Sequence, residues 1–249
     1  MSSKIEKIVR AIFLKMGFSI VGLSESYFHS NHYLRHNARR LEHLASLRIP
    51  VAGKTVLEVG AGIGDHSHYY ADRGCQVTVT EYRESNLRYL KKHYPLYNVQ
   101  SLDMEKPAEI GFKFDIIHCY GLLYHLQTPE RAIEFLGNHC KSILLLETCV
   151  SFGDDEQINL VKEDINSPTQ AASGTGCRPT RPWIFRQLKK HFPFVYIPRT
   201  QPNHEEFPTD WTSHEKHKGL ARAVFIASRE VVNNDALTTD LLNMQKRHD

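Results

Sequence analysis

"VLEVGAGIGDHSHYY", Val56 to Tyr70, joins an apolar run, three glycines in five residues and the start of a helical pattern. A strand, a glycine turn and a helix start in this order aim backbone N–H groups at a ligand beyond the strand end. Whether that ligand carries phosphate decides the reading. The dinucleotide fingerprint G-x-G-x-x-G/A needs a third small residue. Here the turn runs Gly60-Ala61-Gly62-Ile63-Gly64-Asp65, and an anion stands where a pyrophosphate would pack closely. A dinucleotide is disfavoured.

Outward from this turn, strand and helix patterns alternate. "TVLEV", "QVTVTE", "VQSLDM", "FDIIHCYGLL" and "SILLLET" read as strands, with "HSHYYADRG", "SNLRYLKKHY" and "PERAIEFLGNHC" as helices. This repetition predicts a parallel sheet with right-handed crossovers. The pattern breaks after Thr148, and residues 151–179 are polar. "RPWIFRQLKKHF" resumes a helix with Pro182 suited to its first turn. "FVYIP" and "ARAVFIAS" are two last strands, separated by a long polar connection. The tail after Arg229 has few anchors.

Ahead of the sheet, Ser3 and Glu6 fit a capping box, and Ile5, Ile8, Val9, Ile12, Phe13 and Met16 follow helical spacing. That stripe is expected to pack on the domain rather than on a second copy or a membrane surface. In "NHYLRHNARRLEHLASLRIP", Leu34, Ala38, Leu41, Leu44 and Ala45 share a face, leaving Arg35, Arg39 and Arg40 for solvent.

The 249 residues allow one core plus a lid, and a net charge of +3 argues against a dominant nucleic-acid footprint. Five cysteines without a C-x-x-C pair fit reduced thiols in a cytoplasmic protein. No stretch reaches the roughly 20 apolar residues of a membrane span. His66 and His68 are two apart and do not face each other, H-E-x-x-H is absent, and no spacing singles out Asp154 or Asp155. The expectation is no metal.

Three carboxylates close three consecutive strands. Glu58 ends the first, where a cationic group could use it. Glu81 ends the second, placed to accept both hydroxyls of a ribose. Asp103 ends the third, placed to accept an adenine amino N–H. Ammonium, ribose and adenine without phosphate describe S-adenosylmethionine. Gly60, Gly62 and Gly64 complete this set.

With these residues the sequence resembles the class I S-adenosylmethionine-dependent methyltransferases. The resemblance implies Tyr82, Met104 and Tyr120 as further cofactor contacts. The resemblance is clear over about residues 54–148 and rests on strand pattern over about 180–228. It implies an α/β, Rossmann-like, doubly wound sheet of seven strands, order 3-2-1-4-5-7-6, with the last strand antiparallel. One domain over residues 1–249 is expected: a helical cap at 1–50, and acceptor-side loops at 151–182 and 199–220. "HCYG" after the fourth strand lacks the Asn/Asp-Pro-Pro-aromatic of enzymes that methylate base amino groups. "YGLLYHLQTP" resembles a segment of the tRNA wobble-uridine alkyltransferases, which stay open as an alternative.

The implied activity is methyl transfer to a hydroxyl of a small molecule or sugar. His125 is the candidate general base, and His204, Glu205 and Glu147 are further candidates. A non-catalytic S-adenosylmethionine-binding protein is the third reading. Residues 151–182 are expected to form a mobile cover. Arg178 and Arg181, stiffened by Pro179 and Pro182, and His204 are expected to meet the acceptor, with the arginines taking an anionic group. Oligomeric state and acceptor identity are not legible.

Overall fold

The computed structural model describes residues 3–16, 22–167 and 169–249. Among the described residues the strands are β1 (Thr55–Val59), β2 (Gln76–Glu81), β3 (Asn98–Ser101), β4 (Phe114–Tyr120), β5 (Cys140–Val150), β6 (Ile158–Lys162), β7 (Thr175–Pro179), β8 (Phe194–Pro198), β9 (Thr200–Gln201), β10 (Ala221–Ser228), β11 (Leu237–Thr238) and β12 (Lys246–Arg247). The helices are α1 (Ser3–Lys15), α2 (Leu23–Phe28), α3 (Asn31–Ser46), α4 (Ser67–Ala71), α5 (Glu84–His93), α6 (Pro129–His139) and α7 (Arg181–His191).

The main sheet runs β11-β8-β10-β5-β4-β1-β2-β3. Counted along the chain, seven of these strands have the expected order. β1 to β5 are parallel, and β10 lies antiparallel between β5 and β8. The eighth strand, β11, was not expected. It pairs Leu237 with Pro198 and Thr238 with Ile197 from within the tail. Two residues joined through main-chain bonds carry no periodic signal, so composition could not announce them.

Alternating side chains of the central strands feed two apolar layers, as the strand period requires. Leu57, Ile117, Leu144, Leu146 and Phe225 enter one layer; Val56, Ile116, Leu145, Val224 and Ile226 enter the other. Both layers are covered, so the parallel strands are buried on two faces.

Two expectations fail. The α1 stripe does not pack on the domain: Ile5, Ile8, Ile12 and Met16 are each more than half exposed. Spacing determines which residues share a face, not what that face meets. The side chains of Ser3 and Glu6, the expected capping box, lie outside the described residues. α3 buries only part of its expected face. Leu44 is buried as expected, but Leu34 is 47% exposed, while His36, Asn37, Arg40 and His43 are buried. These inward polar side chains meet polar partners.

The polar stretch after β5 contains a hairpin, β6 against β7 in antiparallel register from Ile158–Pro179 to Lys162–Thr175. Arg83 donates to the carbonyl of Gln170 at 2.8 Å, tying the hairpin's connecting loop to the end of β2.

Candidate active site

The carboxyl ends of β1, β2 and β4 open into one cavity of about 580 Å3. Its position is where open α/β sheets place ligands. Glu58, Gly60, Gly62, Glu81, Tyr82, Asp103, Met104, Tyr120 and His125 all line it.

The glycine turn is left-handed, with φ of +66° at Gly60 and +60° at Gly62. A Cβ at Gly62 would stand 2.8 Å from the Phe28 ring, and one at Gly60 would stand 2.9 Å from Leu122. Both the backbone conformation and the close approach require glycine. Gly64 serves differently. It faces Leu90 and Tyr94 of the α5 region and does not line the cavity.

Glu81 is held firmly. Its carboxylate accepts from the backbone N–H groups of Gly62 at 2.9 Å and of Tyr82 and Arg83 at 2.8 Å each. Burial pushes its carboxyl above the usual range, and these hydrogen bonds oppose that push. Glu58 is 2% exposed and has the Ser67 hydroxyl as its hydrogen-bond partner. Burial drives its carboxyl up to about 8, against the Ser67 hydrogen bond and with help from the negative charge of Asp65. Asp103 accepts the N–H of Glu105 at 2.9 Å. The Tyr120 hydroxyl is buried on the cavity wall without a hydrogen-bond partner.

Along this wall runs a directed chain of hydrogen bonds. Tyr70 Oη lies 2.8 Å from His118 Nδ1, His118 Nε2 lies 3.1 Å from His66 Nδ1, and His66 Nε2 lies 3.2 Å from Asn37 Oδ1. Asn37 Nδ2 then donates to Asp65 at 2.9 Å. One consistent set of tautomers satisfies every link: each histidine accepts on Nδ1 and donates from Nε2. Burial holds both imidazoles well below the usual histidine range, so they are neutral.

At the other end of the cavity, Arg40 and Arg222 converge on Glu147, whose side chain is fully buried. Arg40 donates to it at 2.6 Å and Arg222 at 3.2 Å. Arg222 also donates to the Tyr124 hydroxyl at 3.2 Å and to Glu206 at 2.6 Å. Both Glu147 oxygens are taken by guanidiniums and Glu147 does not line the cavity, which argues against it as the base.

His125 follows β4 in a short 3-10 turn, Leu123–His125. Its Nδ1 lies 2.5 Å from Glu163 Oε2. Glu163 also takes the Ala171 N–H at 2.7 Å and Arg178 at 3.1 Å. Burial alone would raise the Glu163 carboxyl, but His125, Ala171 and Arg178 outweigh it and bring it down to about 2. Burial lowers His125 despite Glu163, leaving a neutral imidazole.

Arg178, Arg181 and His204 do not reach this cavity. Arg178 spends its guanidinium on Glu163 and on the carbonyls of Tyr124 and Cys177. Arg181 donates to the Leu242 carbonyl at 2.7 Å and lies over the Trp211 ring at 4.1 Å. His204 is buried in a turn after β9. Neighbouring prolines stiffen a backbone without saying which way it faces. Glu205, another candidate base, pairs with Arg35 at the surface.

A family model described as a methyltransferase domain matches residues 30–164. A ubiquinone biosynthesis O-methyltransferase of Coxiella burnetii is 35% identical over 102 residues, which is 39% of this chain and 43% of that protein. The chain thus spans less than half the length of the curated relatives it first matches. A tRNA U34 carboxymethyltransferase of Campylobacter hominis is 26% identical over 64% of this chain and 58% of its own. Among solved structures, the N-terminal domain of EvdMO1 with SAH bound superposes with a TM-score of 0.60 at 18% identity, covering 90% of this chain and 96% of that one. At that identity the likeness establishes the fold. Among the described residues, no helix is long and apolar enough to cross a membrane.

Proposed function

The chain belongs to the class I S-adenosylmethionine-dependent methyltransferases, and from that premise we propose that it binds S-adenosylmethionine and methylates a hydroxyl of a small, polar acceptor such as a sugar. The observation that carries the hydroxyl reading is the His125–Glu163 pair at 2.5 Å beside the cavity. An amine acceptor needs no such dyad; a hydroxyl needs a base for its proton.

The cavity suits the cofactor on three counts. Glu81 sits at the end of β2 with its carboxylate already oriented by three N–H groups. Glu58 is a buried carboxyl with no ion-pair partner among the described residues. The Tyr120 hydroxyl is buried and partnerless on the wall. S-adenosylmethionine, when bound, supplies an electrophilic methyl group on a sulfonium. Glu58 would face its ammonium end, Glu81 its ribose, and Asp103 and Met104 its adenine. Positioning provides most of the acceleration for in-line transfer.

Glu163 accepts from Nδ1–H of His125 and leaves Nε2 unprotonated. Nε2 would take the acceptor's hydroxyl proton as its oxygen bonds to the methyl carbon and the methyl–sulfonium bond breaks, its electron pair returning to sulfur to leave a neutral thioether, and the Glu163 carboxylate would stabilise the resulting imidazolium. The acceptor end of the cavity is electrically balanced, with Arg40 and Arg222 matched by Glu147 and Glu206. That balance favours a neutral polyhydroxylated acceptor over the anionic one expected from Arg178 and Arg181.

The test is transfer of labelled methyl from S-adenosylmethionine to three pools: monosaccharides and nucleotide sugars, small phenols, and bulk tRNA. Label is expected in an acid-soluble ether product of the first pool. Label confined to tRNA would overturn the reading in favour of nucleic-acid modification.

A further inference from the structure

The fold assembles a second cluster that the sequence left apart. His32 and His36 are one helical turn apart on α3 and project to the same side, with ring centroids 6.0 Å apart. The turn after β9 brings Glu206 against them. His32 Nε2 lies 3.4 Å from Glu206 Oε1, and His36 Nε2 lies 3.8 Å from Glu206 Oε2. One ligand atom from each of the three residues falls within 4.8 Å of the others.

The geometry points to a divalent transition-metal site made by His32, His36 and Glu206, with zinc the fitting ion. Zinc bonds to nitrogen and oxygen are about 2.0–2.2 Å, so tetrahedral ligand atoms stand about 3.3–3.6 Å apart. Each imidazole faces its own Glu206 oxygen, His32 at 3.4 Å from Oε1 and His36 at 3.8 Å from Oε2, so a small inward shift of the three side chains would reach that edge. Two imidazoles and one carboxylate suit zinc and its first-row neighbours better than magnesium, which prefers oxygen ligands.

His36 supplies the independent sign. It is 2% exposed, and its Nε2 is buried with no hydrogen-bond partner. A buried ring nitrogen without a partner is costly, and an ion would satisfy it. Glu206 is braced for the role. Its Oε2 accepts from Arg222 at 2.6 Å, which leaves Oε1 free toward His32.

The neighbours define the limits of the set. His204 packs on His36 with ring centroids 4.8 Å apart, but its Nδ1 accepts the Glu206 N–H at 3.2 Å. Its neutral ring therefore carries hydrogen on Nε2 and walls the site without coordinating. Glu205 is held by Arg35. Glu58, His66 and His118 also lie together, but the ring nitrogens of both histidines are already used in the hydrogen-bond chain. Nor does the ion enter a positive field. Arg35, Arg40 and Arg222 are matched by Glu205, Glu147 and Glu206.

None of the three ligands lines the cavity, while Tyr33, Asn37 and Arg40 of α3 do, as does Arg222. The ion would thus clip α3 to the turn that braces Arg222, as a structural centre behind the cavity wall. This assignment does not depend on methyl transfer.

The experiment uses the full chain stripped with a chelator, then titrated with zinc chloride against a chromophoric competitor. Unfolding temperature is read in parallel. One equivalent is expected to bind at micromolar concentration or tighter and to raise the unfolding temperature, with excess magnesium failing to compete. His32→Ala should weaken zinc binding at least 100-fold; His32 is 53% exposed, so the variant should fold. Glu206→Gln should do the same while keeping an oxygen for Arg222. With cobalt, visible d–d bands should appear in the wild type and vanish in both variants. No binding at about 10 μM zinc, far above the dissociation constants of roughly 0.05 μM or tighter found for structural zinc sites, or wild-type affinity in either variant, would overturn the assignment.

Discussion

Glu58 gives the sharpest quantitative test, because its protonation should be coupled to the cofactor. In the ligand-free cavity its carboxyl titrates at about 8 through burial, so at pH 7 it is mostly the neutral acid. A ligand that brings an ammonium beside it favours the carboxylate, and binding must then release a proton. Affinity should rise about tenfold per pH unit below pH 8 and level off above it. The same group acts on folding with opposite sign. Its pKa is raised above the unfolded value of 4.5, so between there and about 8 the folded chain holds one more proton than the unfolded chain. Stability is lost as pH rises across that window, by about 1.4 kcal/mol per unit and at most about 5 kcal/mol in all. Glu58→Gln keeps the shape and a partner for Ser67 but cannot titrate. Relative to wild type, the variant should unfold at higher temperature at pH 8–9 without ligand, and bind S-adenosylmethionine more weakly there. Its affinity should be flat with pH. Calorimetry in buffers of different ionisation enthalpy counts the proton directly. A wild-type affinity as flat as that of Glu58→Gln, with no proton released at pH 7, would refute the reasoning.

Glu81→Ala should weaken S-adenosylmethionine binding by about 1.5–3 kcal/mol in calorimetry. It should also lower the unfolding temperature, since three backbone N–H groups lose their acceptor. Once an acceptor is in hand, His125→Ala should cut turnover about 10²–10⁴-fold with cofactor affinity unchanged. Glu163→Gln should cost less and move the acid limb of the pH–rate profile downward, because Glu163 holds the His125 pKa up; an unmoved limb would make Glu163 a purely structural partner. Glu147→Ala leaves Arg40 and Arg222 as buried charges without their shared carboxylate. It should cost about 3–5 kcal/mol, or roughly 10 °C in unfolding temperature, and a loss under 1 kcal/mol measured in urea would contradict that account.

The strand order was legible because parallel strands advertise themselves. Each is a short apolar run, and each is followed by helical spacing. The carboxylates at the strand ends were legible for the same reason, since a strand's end fixes an address on the sheet. Glu58, Glu81 and Asp103 do share one cavity wall. Gly60, Gly62, Tyr82, Met104, Tyr120 and His125 line it as expected, but the buried ion pairs around it were not legible. Arg40 was assigned to solvent because amphipathic reasoning sends apolar residues inward, yet its partner Glu147 is 107 residues away. Glu163 stood in a polar connection with nothing to mark its pairing with His125. Arg178 and Arg181 drew attention through flanking prolines and turned out to be anchored elsewhere. The His32–His36 spacing in "NHYLRH" was a readable signal, but its third partner arrives from beyond β9.

α3 is anchored at its two ends by different forces. Near its C-terminus, Leu44 and Leu47 are almost fully buried in the apolar layer. Toward its N-terminus, the buried contacts are those of His36, Asn37 and Arg40. Detaching that first half would expose little apolar surface, so its opening should carry a small heat-capacity change and a shallow denaturant dependence. Amide exchange over residues 36–40 would then proceed by a local route that urea barely accelerates. Exchange at Leu44 would wait for the whole sheet to come apart. The protein would loosen around its ligand by trading one set of polar partners for water, while its apolar layers stayed shut.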